Sequence, residues 1–456
     1  MKDKLIWIGP VAAAATAAIA SQAGMAAPAV ATLGVTVLCA IWWIGEALPI
    51  PVTSLLPMTL LPLMNVITPS DVAAAYGHPL ILLLLGGFLL STAMEYSGVH
   101  RRLALSMIRV VGAHSDRHIV IGFMLAAALL SMWISNTATT LMLLPIALAI
   151  ISSSNSDRLA VPLLLGLAYS ASLGGIGTPI GTPPNVIFMG AYEEATGQTI
   201  GFLDWMMWAL PVVFIFLFFM ILWLTRGLKG SSEVEIPRVG AWLPIERRVL
   251  LVFALTALAW VTRSQPFGGW QAMLDIPNAN DAAVALLAVV VMFIIPDGRG
   301  GRLLTWEAAN KIPWGVLLLF AGGITLAKGF TASGLAANIG EALSAFTVLP
   351  LFALLLCITL GVTFLTEVTS NTATTALLMP ILAAAAASAG LPAELLMVPA
   401  AMSASCAFML PVATAPNAII YGNEAITVSR MAREGVILNL IGALVISGCM
   451  WLLLPH

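Results

Sequence analysis

The sequence predicts an all-α polytopic membrane protein assembled from two related halves, and three observations predict it. Of the 456 residues, 60% are hydrophobic and 9% charged, against about 25% charged in an ordinary soluble domain. Apolar runs long enough to cross a bilayer recur along the whole chain. The six residues Ser135-Asn136-Thr137-Ala138-Thr139-Thr140 recur letter for letter as Ser370-Asn371-Thr372-Ala373-Thr374-Thr375, 235 positions later.

In chain order, apolar runs fall at 5–24, 29–48, 52–67 and 78–95. The first, with Lys2 and Lys4 before it, reads as an uncleaved helix because further spans follow at once. Beyond the basic residues Arg101, Arg102, Arg109 and Arg117 lies a long run, 119–153, interrupted by the first Ser-Asn-Thr copy and closed by Asp157 and Arg158. Further runs cover 160–190, 203–225, 247–262, 281–296 and 313–331. A second interrupted run covers 346–388, and the last two cover 395–422 and 434–454. Each interrupted run is too long for one span and carries a polar centre. It is expected to fold as a re-entrant hairpin, since non-helical backbone at membrane depth is tolerated where protein or a water-filled cavity covers it. That leaves 11 transmembrane helices plus two re-entrant hairpins. With the N-terminus in the cytoplasm and the C-terminus outside, every Lys and Arg except Arg263 and Lys328 falls on the cytoplasmic side, as positive-inside charge bias requires.

An odd number of spans separates the two hairpin tips, so the second copy is inverted relative to the first. Other landmarks repeat at nearly the same offset: Gly86-Gly87 with Gly322-Gly323, Ser97-Gly98 with Ser333-Gly334, and Asn185 with Asn417. The expected organisation is an N-terminal helix (1–28), a first inverted repeat (29–228) with hairpin 119–153 and broken helix 160–190, and a cytoplasmic linker (229–246) carrying Lys229, Glu233 and Glu235. A second inverted repeat (247–456) follows, with hairpin 346–388 and broken helix 395–422. Inverted repeats with interrupted helices at matching places point to a secondary transporter with its site near the midplane.

The chemistry of the duplicated segment supports this. Ser, Asn and Thr cap helix N-termini, and an N-terminus offers free N–H groups and the positive end of the helix dipole to an anion. Two such ends meeting at one cavity suit an anion with two acidic groups. The hydroxyls of Thr137 and Thr372 and the amides of Asn136 and Asn371 add donors, while Ser131 and Thr366, one turn before each tip, add oxygens of the hard kind that Na⁺ prefers. Bound cations would offset the charge of a desolvated dianion. Each tip is followed by a second polar break, Gly181-Thr182-Pro183-Pro184-Asn185 and Ala413-Thr414-Ala415-Pro416-Asn417. Of the charged residues, Glu46 and Glu95 read as scaffold groups near span ends. Glu367, beside Thr366, is the charge most suspected of function, with pairing to a neighbouring helix as the alternative. Trp42, Trp43, Trp205 and Trp208 fit interfacial belts. Cys39, Cys357, Cys406 and Cys449 read as small buried hydrophobes.

These residues resemble the divalent anion:sodium symporter family, which includes bacterial dicarboxylate carriers and animal citrate and sulfate carriers. The resemblance covers nearly the whole chain: Gly86-Gly87-Phe88-Leu89-Leu90, Gly98-Val99-His100-Arg101-Arg102, both Ser-Asn-Thr copies and both Thr-x-Pro-Asn breaks. It implies an elevator-type transporter in the bacterial inner membrane, with a dimerising scaffold domain and a moving transport domain in each protomer of a homodimer. It also implies one sodium site at Ser131, Ser135, Asn136 and Gly181 and a second at Thr366, Ser370, Asn371 and Ala413. Substrate carboxylates would meet Asn136, Thr137 and Thr182 from one half and Asn371, Thr372 and Thr414 from the other. Ala415 departs from the second proline common in relatives and relaxes the backbone there.

The expected activity is coupling of inward Na⁺ movement to uptake of C4-dicarboxylates such as succinate, malate or fumarate. Alternatives are sodium-independent dicarboxylate exchange and sulfate or citrate symport. A compact sulfate would leave one tip of a two-ended cavity idle. An intramembrane enzyme would need a general base near a nucleophile, yet His78, His100, His114, His118 and His456 all fall at span ends or in loops. Zinc chemistry would need a ligand cluster, and nucleic-acid binding a basic patch. A channel fits poorly with an inverted pair of closed hairpins.

Overall fold

The computed structural model describes residues 2–454 except 113, 155, 157, 229–235, 238, 266–267 and 344–348. Asp157, Lys229, Glu233, Glu235 and His456, named above, therefore lie outside the described residues, as does much of the linker. Every regular element among the described residues is helical. In order they are α1 (Lys2–Gln22), α2 (Ala27–Ile44), α3 (Leu55–Leu63), α4 (Pro79–Ser97), α5 (Val99–Val111), α6 (Asp116–Ser131), α7 (Asn136–Ser153), α8 (Ala160–Gly174), α9 (Pro183–Thr196) and α10 (Phe202–Thr225). The second half contains α11 (Pro244–Val261), α12 (Asp281–Ile294), α13 (Trp314–Ser333), α14 (Leu335–Leu343), α15 (Leu351–Thr366), α16 (Asn371–Ala389), α17 (Ala393–Ala404), α18 (Ala415–Tyr421) and α19 (Val428–Leu453). Short helical pieces fill some of the connections.

Among the described residues, 9 helices are long and apolar enough to cross a membrane, so the chain is a multi-pass membrane protein. Two of these, α7 and α16, are the second arms of the interrupted runs. The apolar run at 52–67 differs from expectation: it breaks into Ile50–Thr53 and α3. The helix α12 has 14 residues, and at about 1.5 Å per residue the helical part of each is shorter than a hydrocarbon core roughly 30 Å thick, so a crossing there needs the flanking non-helical residues. At the far end, α19 starts at Val428 rather than near 434. The Thr427 hydroxyl caps it by accepting from the Arg430 N–H at 3.2 Å, and an Arg430–Glu434 pair one turn apart holds the charged first turns.

All four expected interruptions are present. The helix α6 stops at Ser131 and α7 begins at Asn136, where the Ser135 hydroxyl caps the new helix by accepting from the Ala138 N–H at 3.1 Å. Likewise α15 stops at Thr366 and α16 begins at Asn371, with Ser370 capping Ala373. The breaks between α8 and α9 and between α17 and α18 lie at the two Thr-x-Pro-Asn segments. The repeated Ser-Gly pairs have a common cause: Gly98 and Gly334 end α4 and α13 in the left-handed region, at φ 76° and 75°, where glycine carries no Cβ penalty.

Packing exchanges the two halves. Within each half, the hairpin packs on the first segment of its own broken helix, α6 on α8 and α15 on α17. The second segment of each broken helix crosses over, so that α9 packs on α16 and α18 packs on α7. The final helices α10 and α19 also touch. This reciprocity carries both duplicated tips and both breaks to one place.

A buried ion pair joins the halves on another face. Arg102 of α5 donates to the Glu246 carboxylate of α11 at 2.9 Å and to the carbonyls of Gly240 and Ala241 at 2.7 and 2.8 Å. Both side chains are 8% exposed. Removing one member strands the other without compensation, at a cost of roughly 3–5 kcal/mol. Arg102→Ala should therefore lower the thermal midpoint of the purified protein in detergent more than Arg102→Ala combined with Glu246→Ala does. Equal or greater loss in the double variant would mean that the pair does not hold the halves together.

Candidate functional site

A membrane interior has no water for an interrupted backbone, so each break needs internal partners. At the first break the fully buried Asn185 amide donates to the carbonyls of Gly175 and Thr178 at 3.0 and 2.8 Å. Trp205 donates its indole N–H to the Ile176 carbonyl at 2.8 Å. This tryptophan is buried and serves the break, correcting the expectation of an interfacial belt, and Trp43 is buried as well, bonded to the Ser54 hydroxyl. At the second break Asn417 repeats the pattern of Asn185, donating to the carbonyls of Ala407 and Leu410 at 3.0 Å each.

The second break has one further support that the first lacks. The Glu367 carboxylate, at the end of α15, accepts from the backbone N–H groups of Phe408 (2.7 Å), Met409 (2.9 and 3.1 Å) and Leu410 (3.0 Å). The Asn439 amide of α19 donates to it at 2.7 Å. Both oxygens act as acceptors, the role of an ionised carboxylate. The contacts match the alternative reading of Glu367: it pairs with a neighbouring helix through Asn439, and it holds the loop that borders the cavity. The corresponding position in the first half is Met132.

The four interruptions converge on one cavity of about 800 Å³. Ser135, Asn136 and Thr137 line it from the first tip and Ser370, Asn371 and Thr372 from the second; Gly181 and Thr182 line it from the first break and Ala413 and Thr414 from the second. Of the sequence-predicted site residues, only Ser131 and Thr366 lie behind the lining. Both are buried. The Ser131 hydroxyl donates to the Asn136 side-chain oxygen at 2.5 Å, and Thr366 donates to the Ala404 carbonyl at 3.0 Å. The helix N-termini of α7, α9, α16 and α18 all begin at lining residues, so positive dipole ends surround the space. No Lys or Arg is among its lining residues.

The first half also gathers oxygens. A Cβ placed on Gly181 would lie 2.5 Å from the Gly175 carbonyl oxygen and 3.0 Å from that of Met132. One placed on Gly175 would lie 2.6 Å from the Asn136 side-chain oxygen. Only glycine permits this crowding of carbonyls at the broken C-terminal ends of α6 and α8. The identical tips differ in detail: Asn136 turns back to Ser131, whereas the Asn371 oxygen accepts from the N–H and hydroxyl of its neighbour Thr372, at 2.7 and 3.0 Å. Ala415 begins α18 behind Thr414, whose hydroxyl accepts from the Asn417 N–H, so the missing proline leaves the helix start in place.

Several lining residues escaped the sequence reading. Glu46, read as a scaffold group, lines the cavity with φ 46°. Ser172 and Ser405 line it too, and their buried hydroxyls have no hydrogen-bond partner among the described residues. A signal for them existed, since Ser170-Ala171-Ser172 recurs as Ser403-Ala404-Ser405. Cys357, read as buried, is exposed, whereas Cys39, Cys406 and Cys449 are buried.

The citrate transporter family model matches residues 40–398. The sodium-dependent dicarboxylate transporter SdcS of Staphylococcus saprophyticus is 38% identical over 98% of this chain and 90% of its own. SdcS of Staphylococcus aureus is 38% identical over 93% of this chain and 85% of its own. Among solved structures, the YdaH transporter of Alcanivorax borkumensis shares the fold with a TM-score of 0.59 at 14% identity, over 84% of this chain and 87% of that one. MtrF of Neisseria gonorrhoeae does so with a TM-score of 0.61 at 15% identity, over 86% and 84%.

The Glu367 contacts generate a direct test. Glu367→Gln exchanges one acceptor for an amide N–H that faces backbone donors, at roughly 1–3 kcal/mol for each buried group left unpaired. A lower melting midpoint in detergent is expected, together with faster proteolysis in the 406–413 loop. An unchanged midpoint would show that the carboxylate does not hold the second break.

Proposed function

We propose a transport cycle for this chain, which belongs to the citrate-transporter family and is of the divalent anion:sodium symporter type: it couples entry of Na⁺ to uptake of a C4-dicarboxylate such as succinate, malate or fumarate. The observation that carries this reading is a cavity lined by both tips and both breaks, with no lysine or arginine in its lining. A dianion there has no fixed side-chain cation to meet it. Its charge must be balanced by helix N-termini, by neutral donors and by mobile cations that arrive with it. Sodium dependence then follows from the composition of the lining.

In the proposed arrangement, one carboxylate meets Asn136, Thr137 and Thr182 and the other meets Asn371, Thr372 and Thr414, each at N-terminal helix ends. Sodium ions, as co-substrate, take the oxygen-rich ends of the same breaks. One site uses Ser131, Ser135, Asn136 and Gly181, and the other uses Thr366, Ser370, Asn371 and Ala413. This division, anion on half-helix N-termini and cation on unwound carbonyls, is the general logic of broken-helix transporters. The crowded oxygens around Gly181 and the unpartnered hydroxyls of Ser172 and Ser405 support it.

The cavity is bounded on one side by Ile44, Gly45, Glu46 and Pro313. With the N-terminus cytoplasmic, these residues sit at inner span ends, which places this part of the lining toward the cytoplasmic side. In the proposed topology, 11 spans and two re-entrant hairpins lie in a bacterial inner membrane, with the C-terminus outside and two copies forming a homodimer. An elevator movement would slide the hairpins and broken helices past α4 and α13. Close contacts of Gly87 with Ile180 and of Gly323 with Ala376 mark where such sliding would occur.

The test is succinate uptake into proteoliposomes under an inward Na⁺ gradient, an equal K⁺ gradient, or internal succinate alone. Uptake should require Na⁺. Asn136→Ala and Asn371→Ala should each lower it at least about tenfold, the scale of one lost hydrogen bond to a charged group, while the melting midpoint stays near wild type. Uptake driven by internal succinate without Na⁺ would instead establish exchange. Separately, Ser172→Ala and Ser405→Ala should each raise the half-saturating Na⁺ concentration several-fold with little change at saturating Na⁺. An unchanged Na⁺ dependence in both would remove these hydroxyls from the cation sites.

A further inference from the structure

A second cavity, of about 400 Å³, opens where α8 begins, α10 ends and α19 begins. All three helices belong to segments long and apolar enough to span the membrane, so the cavity lies at the depth where the hydrocarbon gives way to the polar boundary. Its rim carries Arg158, Arg226 and Arg430, and its walls include Leu165 and Leu224.

Three guanidinium groups and one carboxylate, that of Glu434, line this cavity. Glu434 is buried and holds two of them, Arg226 at 2.7 Å and Arg430 at 3.3 Å. Arg226 is further fixed by stacking on Trp223, 3.7 Å from its ring centroid. Arg430 engages Glu434 through Nε, and its two terminal nitrogens have no hydrogen bond among the described residues. Arg158 has no hydrogen bond or ion pair among the described residues. A buried carboxylate thus orients two arginines, and the cluster keeps an excess of positive charge over an apolar wall. Planar guanidinium forks are suited to phosphate oxygens, and basic pockets between spanning helices take anionic head groups.

We infer that this cavity binds a phosphate-bearing anion, and the apolar wall below the arginines favours a phosphodiester lipid head group with its acyl chains along Leu165 and Leu224. Free phosphate shares the chemistry but would leave that wall in contact with water. The site is separate from the transport cavity and does not rest on the transport reading.

Native mass spectrometry of the full chain released from detergent tests this, with phosphatidylglycerol, phosphatidylcholine or inorganic phosphate as added probes. Phosphatidylglycerol should be retained in preference to phosphatidylcholine. Arg158→Gln, which removes no hydrogen bond or ion pair among the described residues, should weaken retention about fivefold, and Arg158→Gln with Arg430→Gln about twentyfold or more. Arg299→Gln, an exposed arginine elsewhere, should leave retention unchanged. Binding of inorganic phosphate that is lost in the same variants, with no lipid preference, would keep the anion site and assign it to a soluble phosphate. Equal retention of both lipids without phosphate binding, or variants that retain phosphatidylglycerol as wild type does, would overturn the inference.

Discussion

A helix that stops inside a bilayer leaves backbone groups that water cannot satisfy, and the architecture follows from that constraint. Four helical runs are interrupted here, and side chains replace the missing water at each. Asn185 and Asn417 bond the carbonyls of their breaks. Ser135 and Ser370 cap the returning arms. Trp205 holds one break and Glu367 the other. Once these supports are in place, the remaining free ends can face a cavity, where a ligand completes them.

The exchange of half-helices between repeats gives both tips and both breaks one shared cavity. Because α9 packs on α16 and α18 on α7, each tip stands beside the break of the opposite half as well as its own. N-terminal ends then surround the centre, and C-terminal carbonyls collect around the edges. In the proposed cycle this separation lets an anion and its cations share a cavity without sharing ligands in full, since Asn136 and Asn371 alone serve both.

The two halves are not equivalent. Glu367 occupies the place of Met132 and Ala413 that of Gly181. The first break is crowded and depends on glycine, whereas the second is tied down by a carboxylate through four contacts with three N–H groups. In the proposed cycle, a glycine-crowded break opposite a carboxylate-held one is a physical basis for two cation sites of unequal affinity.

Membrane character, the duplication, the four breaks and every polar group at the tips were determined by the sequence itself. Each of these is a local pattern, a run of apolar residues or a repeated string, and the lipid environment leaves such patterns few structural options. Ser172 and Ser405 escaped that reading, although their Ser-Ala-Ser context repeats between the halves. Only the tertiary structure decided that Trp205 and Glu367 serve the breaks, that Glu46 reaches the cavity, and that Arg158, Arg226 and Arg430 share a pocket. These assignments rest on contacts between residues far apart in the chain, such as Glu367 with Asn439 and Arg226 with Glu434. A lone charge or tryptophan in an apolar run looks the same whether it faces a head group or a distant loop, and only packing separates the two.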